Sequence, residues 1–136
     1  PAVTPIAGST NITLFSGISA PVQDAIVRIK GAIQNPQLVD SSGAYLKVNG
    51  TIPANEYVRF DMRSGRAWQT NSDTWIGGTE VSGLVDFGGP RSVFEITPAP
   101  VNPVSPLLSE AKLTLTQTSF DAGARVQVRG RNAYIF

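Results

Sequence analysis

The chain has 136 residues, with 11 basic and 10 acidic side chains for a net charge of +1, and contains neither histidine nor cysteine. That is the length of one domain with a single core, long enough to fold without disulfide or metal staples. The missing residue types exclude thiolate and imidazole zinc sites, disulfide frameworks, cysteine nucleophiles and Ser-His-Asp triads. Charged residues make up 15%, against about a quarter in typical soluble domains. With 13 Gly and 10 Pro, this composition suggests strands joined by many turns. No block of like charges marks a nucleic-acid or membrane-surface footprint, and no apolar stretch is long enough to span a bilayer. The chain opens on Pro1 and its only methionine is Met62, as expected of a processed product or a piece of a longer protein.

Taken in chain order, residues 1–24 read as an extended arm or linker plus a first strand near Ile12 to Phe15. Residues 25–136 read as one domain. Alternation of period two, the mark of a strand with one buried face, begins at Ala25 to Ile33. There Val27, Ile29 and Ile33 oppose Arg28 and Lys30, until Asn35-Pro36 ends the run. Ala44, Leu46 and Val48 then oppose Tyr45 and Lys47 before the turn pair Asn49-Gly50. Val58, Phe60 and Met62 oppose Tyr57, Arg59 and Asp61. After Ser64-Gly65 the segment Arg66 to Thr70 resumes, so 56–70 reads as a tight hairpin. Asp61, flanked by Arg59 and Arg63, is expected to form an exposed ion pair.

Further strands are expected at Val93 to Thr97, presenting Phe94 and Ile96, and at Leu113 to Thr118. In a last strand, Val126 and Val128 oppose Arg125, Gln127, Arg129 and Arg131. Between these, Pro98, Pro100, Pro103 and Pro106 predict a proline-rich surface loop over 97–109, with at most one short helical turn from Pro106 to Lys112. Seven or eight short strands with regular turns predict an all-β fold, an antiparallel β-sandwich of jelly-roll type, with a small closed barrel as the alternative.

Candidate chemistry is sparse. Gly77-Gly78 and Gly88-Gly89 lack the Lys-Ser/Thr partner and the following helix of a phosphate loop, and read as turns. The ten carboxylates could in principle supply a glycosidase pair, but they lie beside turn residues or on wet strand faces. Tyr57, Trp68 and Trp75, with Tyr45, are candidates for a platform that contacts a glycan or a protein partner. Packing in the core is the competing role for the two tryptophans. Arg125, Arg129 and Arg131 share one strand face and are candidates for a protein interface. No catalytic, metal or cofactor residue is indicated, and no cofactor is called for.

The order of these pieces resembles the C-terminal domain of distal tail proteins of long-tailed bacteriophages, the siphovirus tail component family. The likeness covers about residues 25–136. It runs through the strand Val27 to Gly31, Asn35-Pro36, Gly43 to Val48, Asn49-Gly50, Tyr57 to Asp61 and the return strand Arg66 to Gln69. Trp75, then Phe87-Gly88-Gly89-Pro90 ahead of Val93 to Thr97, continue the order. The closing segment Gly123 to Phe136, with Arg129-Gly130-Arg131-Asn132-Ala133-Tyr134, resembles the end of minor tail proteins of actinobacterial phages. The proline-rich stretch 97–106 is longer than the family's usual connection. The resemblance implies a jelly-roll or galectin-like sandwich at the virion tail tip, a non-enzymatic structural module of a hexameric full-length protein. The implied partners are the tail tube, the tip or baseplate, receptor-binding protein and host cell-surface glycan. A carbohydrate-binding β-sandwich module is the alternative.

Overall fold

The computed structural model describes residues 8–16, 25–90, 92–97, 99–102 and 105–129. In chain order the strands are β1 Ser9–Ser16, β2 Ile26–Lys30, β3 Ile33–Gln34, β4 Gln37–Asp40, β5 Tyr45–Val48, β6 Thr51–Ile52 and β7 Tyr57–Asp61. There follow β8 Arg66–Thr70, β9 Thr79–Glu80, a short 3-10 turn Ser82–Leu84, β10 Val85–Gly88, β11 Ala99–Asn102, β12 Ser105–Thr116, β13 Ser119–Phe120 and β14 Arg125–Arg129. One sheet has the order β1-β12-β4-β5-β10, with β11 also on β12. A second has the order β14-β2-β7-β8-β9, and a small third sheet runs β13-β3-β6. Every strand pair is antiparallel. The fold is an all-β antiparallel sandwich.

The buried faces are those that the alternation marks. Leu38, Leu46, Val48, Leu113 and Leu115 from the first sheet meet Val27, Ile29, Val58, Phe60, Val126 and Val128 from the second in one core. Phe60 bridges the layers, its ring 5.3 Å from that of Phe87 and 6.3 Å from that of Phe94. Each such side chain contributes roughly 1.5–3 kcal/mol on burial. The hairpin β7-β8 closes on Gly65, whose N–H donates to the Asp61 carbonyl at 2.8 Å and whose φ of 71° suits glycine.

Three expectations are corrected. Residues 97–109 are not a surface loop with a helical turn, since β11 and the first part of β12 lie there. Among the described residues β11 pairs with β12 alone, and an outer strand tolerates prolines because their missing N–H leaves no ladder partner unmet. The sandwich also starts before residue 25, because β1 pairs with β12 over Ser9 to Ser16 and Ile12 sits in the core. Finally, Val93 to Thr97 is not a regular alternating strand: Phe94, Glu95 and Ile96 are buried in succession.

Asp40 is a buried carboxylate with a structural task. It accepts the Ser42 N–H at 3.1 Å and the Ser42 hydroxyl at 2.6 Å on one oxygen, and the Thr97 N–H at 3.1 Å on the other. It therefore shapes the β4-β5 turn and fixes the segment that carries Phe94 and Ile96. Asp40→Ala is expected to lower stability by about 2–3 kcal/mol, measured by chemical denaturation, with Asp40→Asn recovering part of the loss.

Candidate docking face

The outer face of the second sheet gathers most of the chemistry-bearing side chains. Cross-strand register sets Arg125, Lys30, Tyr57 and Thr70 in one row. Gln127, Arg28, Arg59, Trp68 and Glu80 form the next, and Arg129, Ile26, Asp61 and Arg66 the third. The loop that follows β8 folds back over this grid. Its Thr74 carbonyl accepts from Arg28 Nη1 at 3.3 Å and its Gly77 carbonyl from Arg59 Nη2 at 2.8 Å.

Arg28 is the rivet. Its guanidinium lies 4.7 Å from the Tyr57 ring centre and 4.3 Å from that of Trp75. Nη1 pairs with Asp73 at 2.7 Å, while Nε and Nη2 both donate to Gln127 Oε1. Only 5% of the side chain is exposed. The other rings are also faced by the chain's own cations: Lys30 is 5.9 Å from Tyr57, Arg129 is 5.5 Å from Trp75 and Arg59 is 5.3 Å from Trp68. Such contacts contribute about 0.5–2 kcal/mol each, more as water is excluded.

Arg59 is less well served. It is buried beside Arg28 across the strand pair, and its Nη1 has no hydrogen-bond partner. Burial first, and then the Arg28 charge, hold its guanidinium below the ordinary arginine range, with Asp61 pulling in the opposite direction. Arg59→Met keeps the stem against Trp68 and removes both the orphan donor and the repulsion. We expect its stability to equal or exceed that of the wild type by up to about 1 kcal/mol. A loss of about 3 kcal/mol in a denaturation experiment would show that the Gly77 hydrogen bond and the Trp68 contact outweigh the orphan donor and the repulsion.

The structure thus brings Tyr57, Trp68, Trp75, Arg125 and Arg129 to one face. Both tryptophans are half-buried there and neither belongs to the core. Tyr45 is on β5 in the other sheet, so it leaves the group. Arg131 lies outside the described residues. Arg125 is turned towards its own neighbouring turn, donating to the Ala122 and Ala124 carbonyls at 2.7 Å each. Asp61 accepts the Arg63 backbone N–H at 2.9 Å and stands opposite Arg66 in the ladder, so its local role includes shaping the hairpin turn.

The residues missed from sequence are Arg28 and Arg59, which alternation places on a wet face. They are 5% and 6% exposed, because flanking aromatic rings and the returning loop cover them. Beyond this face, no group of His, Cys, Asp and Glu suited to a metal ion occurs among the described residues. Nor is any helix there long and apolar enough to cross a membrane. In comparisons with protein-family models, curated proteins and solved structures, nothing matches the chain.

Proposed function

We propose that this chain is a structural module of the tail tip of a long-tailed phage, the C-terminal domain of a distal tail protein, and that it acts by docking without turnover. The observation that carries the docking role is the outer face of β14-β2-β7-β8-β9. Arg28, Lys30, Arg59, Arg66, Arg125 and Arg129 share it with three carboxylates, Asp61, Asp73 and Glu80, and with two tryptophans and a tyrosine. Arginine and large aromatic side chains are the groups that dominate protein–protein contacts. The tail assignment adds the ordered resemblance in the sequence. Its partners on this reading are neighbouring tail proteins, including those of a hexameric ring.

The same geometry argues against sugar stacking on Tyr57, Trp68 and Trp75, since each ring is already faced by a cation of the chain itself.

The test is immunogold electron microscopy of purified virions with antibody to this chain. Label at the tail tip supports the reading. Particles that stain for other tail proteins but not for this one would overturn it. Within labelled particles, the paired charge reversal Lys30→Glu with Arg129→Glu should reduce incorporation at least tenfold in a folded protein. Undiminished incorporation would remove this face as the contact.

A further inference from the structure

Asn49-Gly50 is a corner of the fold and not the end of a hairpin. β5 before it pairs with β4 in the first sheet, while β6 after it pairs with β3 in the small one. The pair thus bends the chain from one sheet into the next, beside Asn35-Pro36. Asn49 is the only asparagine in the chain followed by glycine, and both residues are exposed. No part of the tail-tip reading uses this corner.

Gly50 is held on both sides by Asn35. Its N–H donates to Asn35 Oδ1 at 2.8 Å, and its carbonyl accepts the Asn35 N–H at 2.8 Å. Because a backbone N–H only donates, the first bond fixes which end of the Asn35 amide is its oxygen. Asn35 Nδ2 in turn donates to Thr118 Oγ1 at 3.2 Å. Asn49 is fastened to β10 and the turn ahead of it: its N–H donates to the Leu84 carbonyl at 2.7 Å, and its Nδ2 donates to Asp86 Oδ2 at 2.8 Å.

We infer that Asn49 is a site of spontaneous deamidation, gated by Asn35, whose product unfastens β10. In an Asn-Gly step the glycine nitrogen attacks the preceding side chain readily, because no Cβ crowds the approach. Gly50 N loses its proton to hydroxide and bonds to Asn49 Cγ. The Cγ–Nδ2 bond then breaks, and the nitrogen leaves as ammonia with a proton from water, which restores the hydroxide. Water opens the resulting succinimide at either carbonyl, giving aspartate or isoaspartate, so the net change is one water taken up and one ammonia released. In the native fold the proton that must leave Gly50 is held by Asn35 Oδ1, and the Asp86 carboxylate opposes negative charge building up on the Asn49 amide. The product dismantles its own surroundings. A carboxylate at position 49 cannot donate to Asp86 and repels it. Isoaspartate also adds a methylene to the main chain beside the bond to Leu84.

The experiment follows Asn49 by peptide mass and isoaspartate content in mildly alkaline buffer, in the folded chain and in the same chain unfolded by guanidinium chloride. Conversion is expected to be at least about tenfold slower in the folded chain. Asn35→Gly suits the φ of 50° at that position and removes the acceptor. It should speed conversion about tenfold while the amides of β2 and β7 stay protected from hydrogen exchange. Asn35→Asp keeps an acceptor for the Gly50 N–H and should stay slow. Asn49→Asp stands for the product, and should speed exchange of the protected amides of β10 about tenfold with those of β2 and β7 unchanged. The outcomes that overturn the inference are equal rates in the folded and unfolded chains, an Asn35→Gly protein as slow as the wild type, or β10 exchange untouched by Asn49→Asp. None of these outcomes bears on virion labelling, so the two proposals fail separately.

Discussion

Replacing Gly31 by alanine is expected to cost more than about 3 kcal/mol and to leave the chain largely unfolded in mild denaturant. Gly31 ends β2 at the point where the chain turns into the small sheet. Its N–H donates to the Glu56 carbonyl at 2.9 Å, and it bridges Ala54. A Cβ at this position would overlap the carbonyl oxygens of Ile52 and Pro53. Both are backbone atoms, so no flexible side chain can yield. Relief requires β6 to move away from β3, which would separate Ile33 from Ile52, each 1% exposed. The control is Gly83→Ala, where a Cβ meets nothing within 4 Å and no positive φ is involved. Its stability should stay within about 0.5 kcal/mol of the wild type. Urea denaturation of the pair decides the matter, and an unaffected Gly31→Ala protein would mean that the 52–54 segment does not pack against β2 as described.

This glycine also shows what can be read from sequence. The strand that it ends was legible because one face is fully buried, and Val27 and Ile29 therefore alternate with polar residues. The same holds for Val58 with Phe60, Leu113 with Leu115 and Val126 with Val128. The hairpin β7-β8 was legible because Ser64-Gly65 supplies its turn chemistry. What the pattern could not show depends on partners distant in the chain. Pro100 looks like a breaker until the register of β11 with β12 places it on an outer strand, opposite Ser109. Phe94, Glu95 and Ile96 break alternation because the segment crosses the core instead of running along one face of it.

The docking face was legible in part. Alternation put Arg28, Arg59, Trp68 and Arg129 on outer faces, and the structure agrees on direction. It could not show that Arg28 and Arg59 are opposite one another. Nor could it show that Trp75 returns from the loop after β8 to stand between Arg28 and Arg129. The cations and aromatic groups interleave in space while remaining well separated in sequence. A strip that reads as exposed arginine is therefore half-covered and held in one arrangement, as a docking surface needs to be if little ordering entropy is to be lost on contact.

Arg28→Ala is the substitution that tests this arrangement most directly, and its expected cost is about 2–4 kcal/mol. The change removes two contacts of the guanidinium with the Tyr57 and Trp75 rings and the donors to Gln127, Asp73 and Thr74. Arg28→Lys keeps the charge but loses the planar fork that bonds while stacked, so it should recover less than half of the loss. Asp73→Asn should cost under about 1 kcal/mol, because Asp73 is 72% exposed and its pairing is screened by water. Hydrogen exchange supplies the second readout. In Arg28→Ala the amides of residues 74–78 should exchange much faster while those of β2 and β7 change only in step with global stability. Trp75 fluorescence should shift to the red as its ring becomes hydrated. If Asp73→Asn instead matched Arg28→Ala in both stability and exchange, the ion pair rather than the stack would hold the loop. The docking face would then depend on salt in a way that the ring contacts do not.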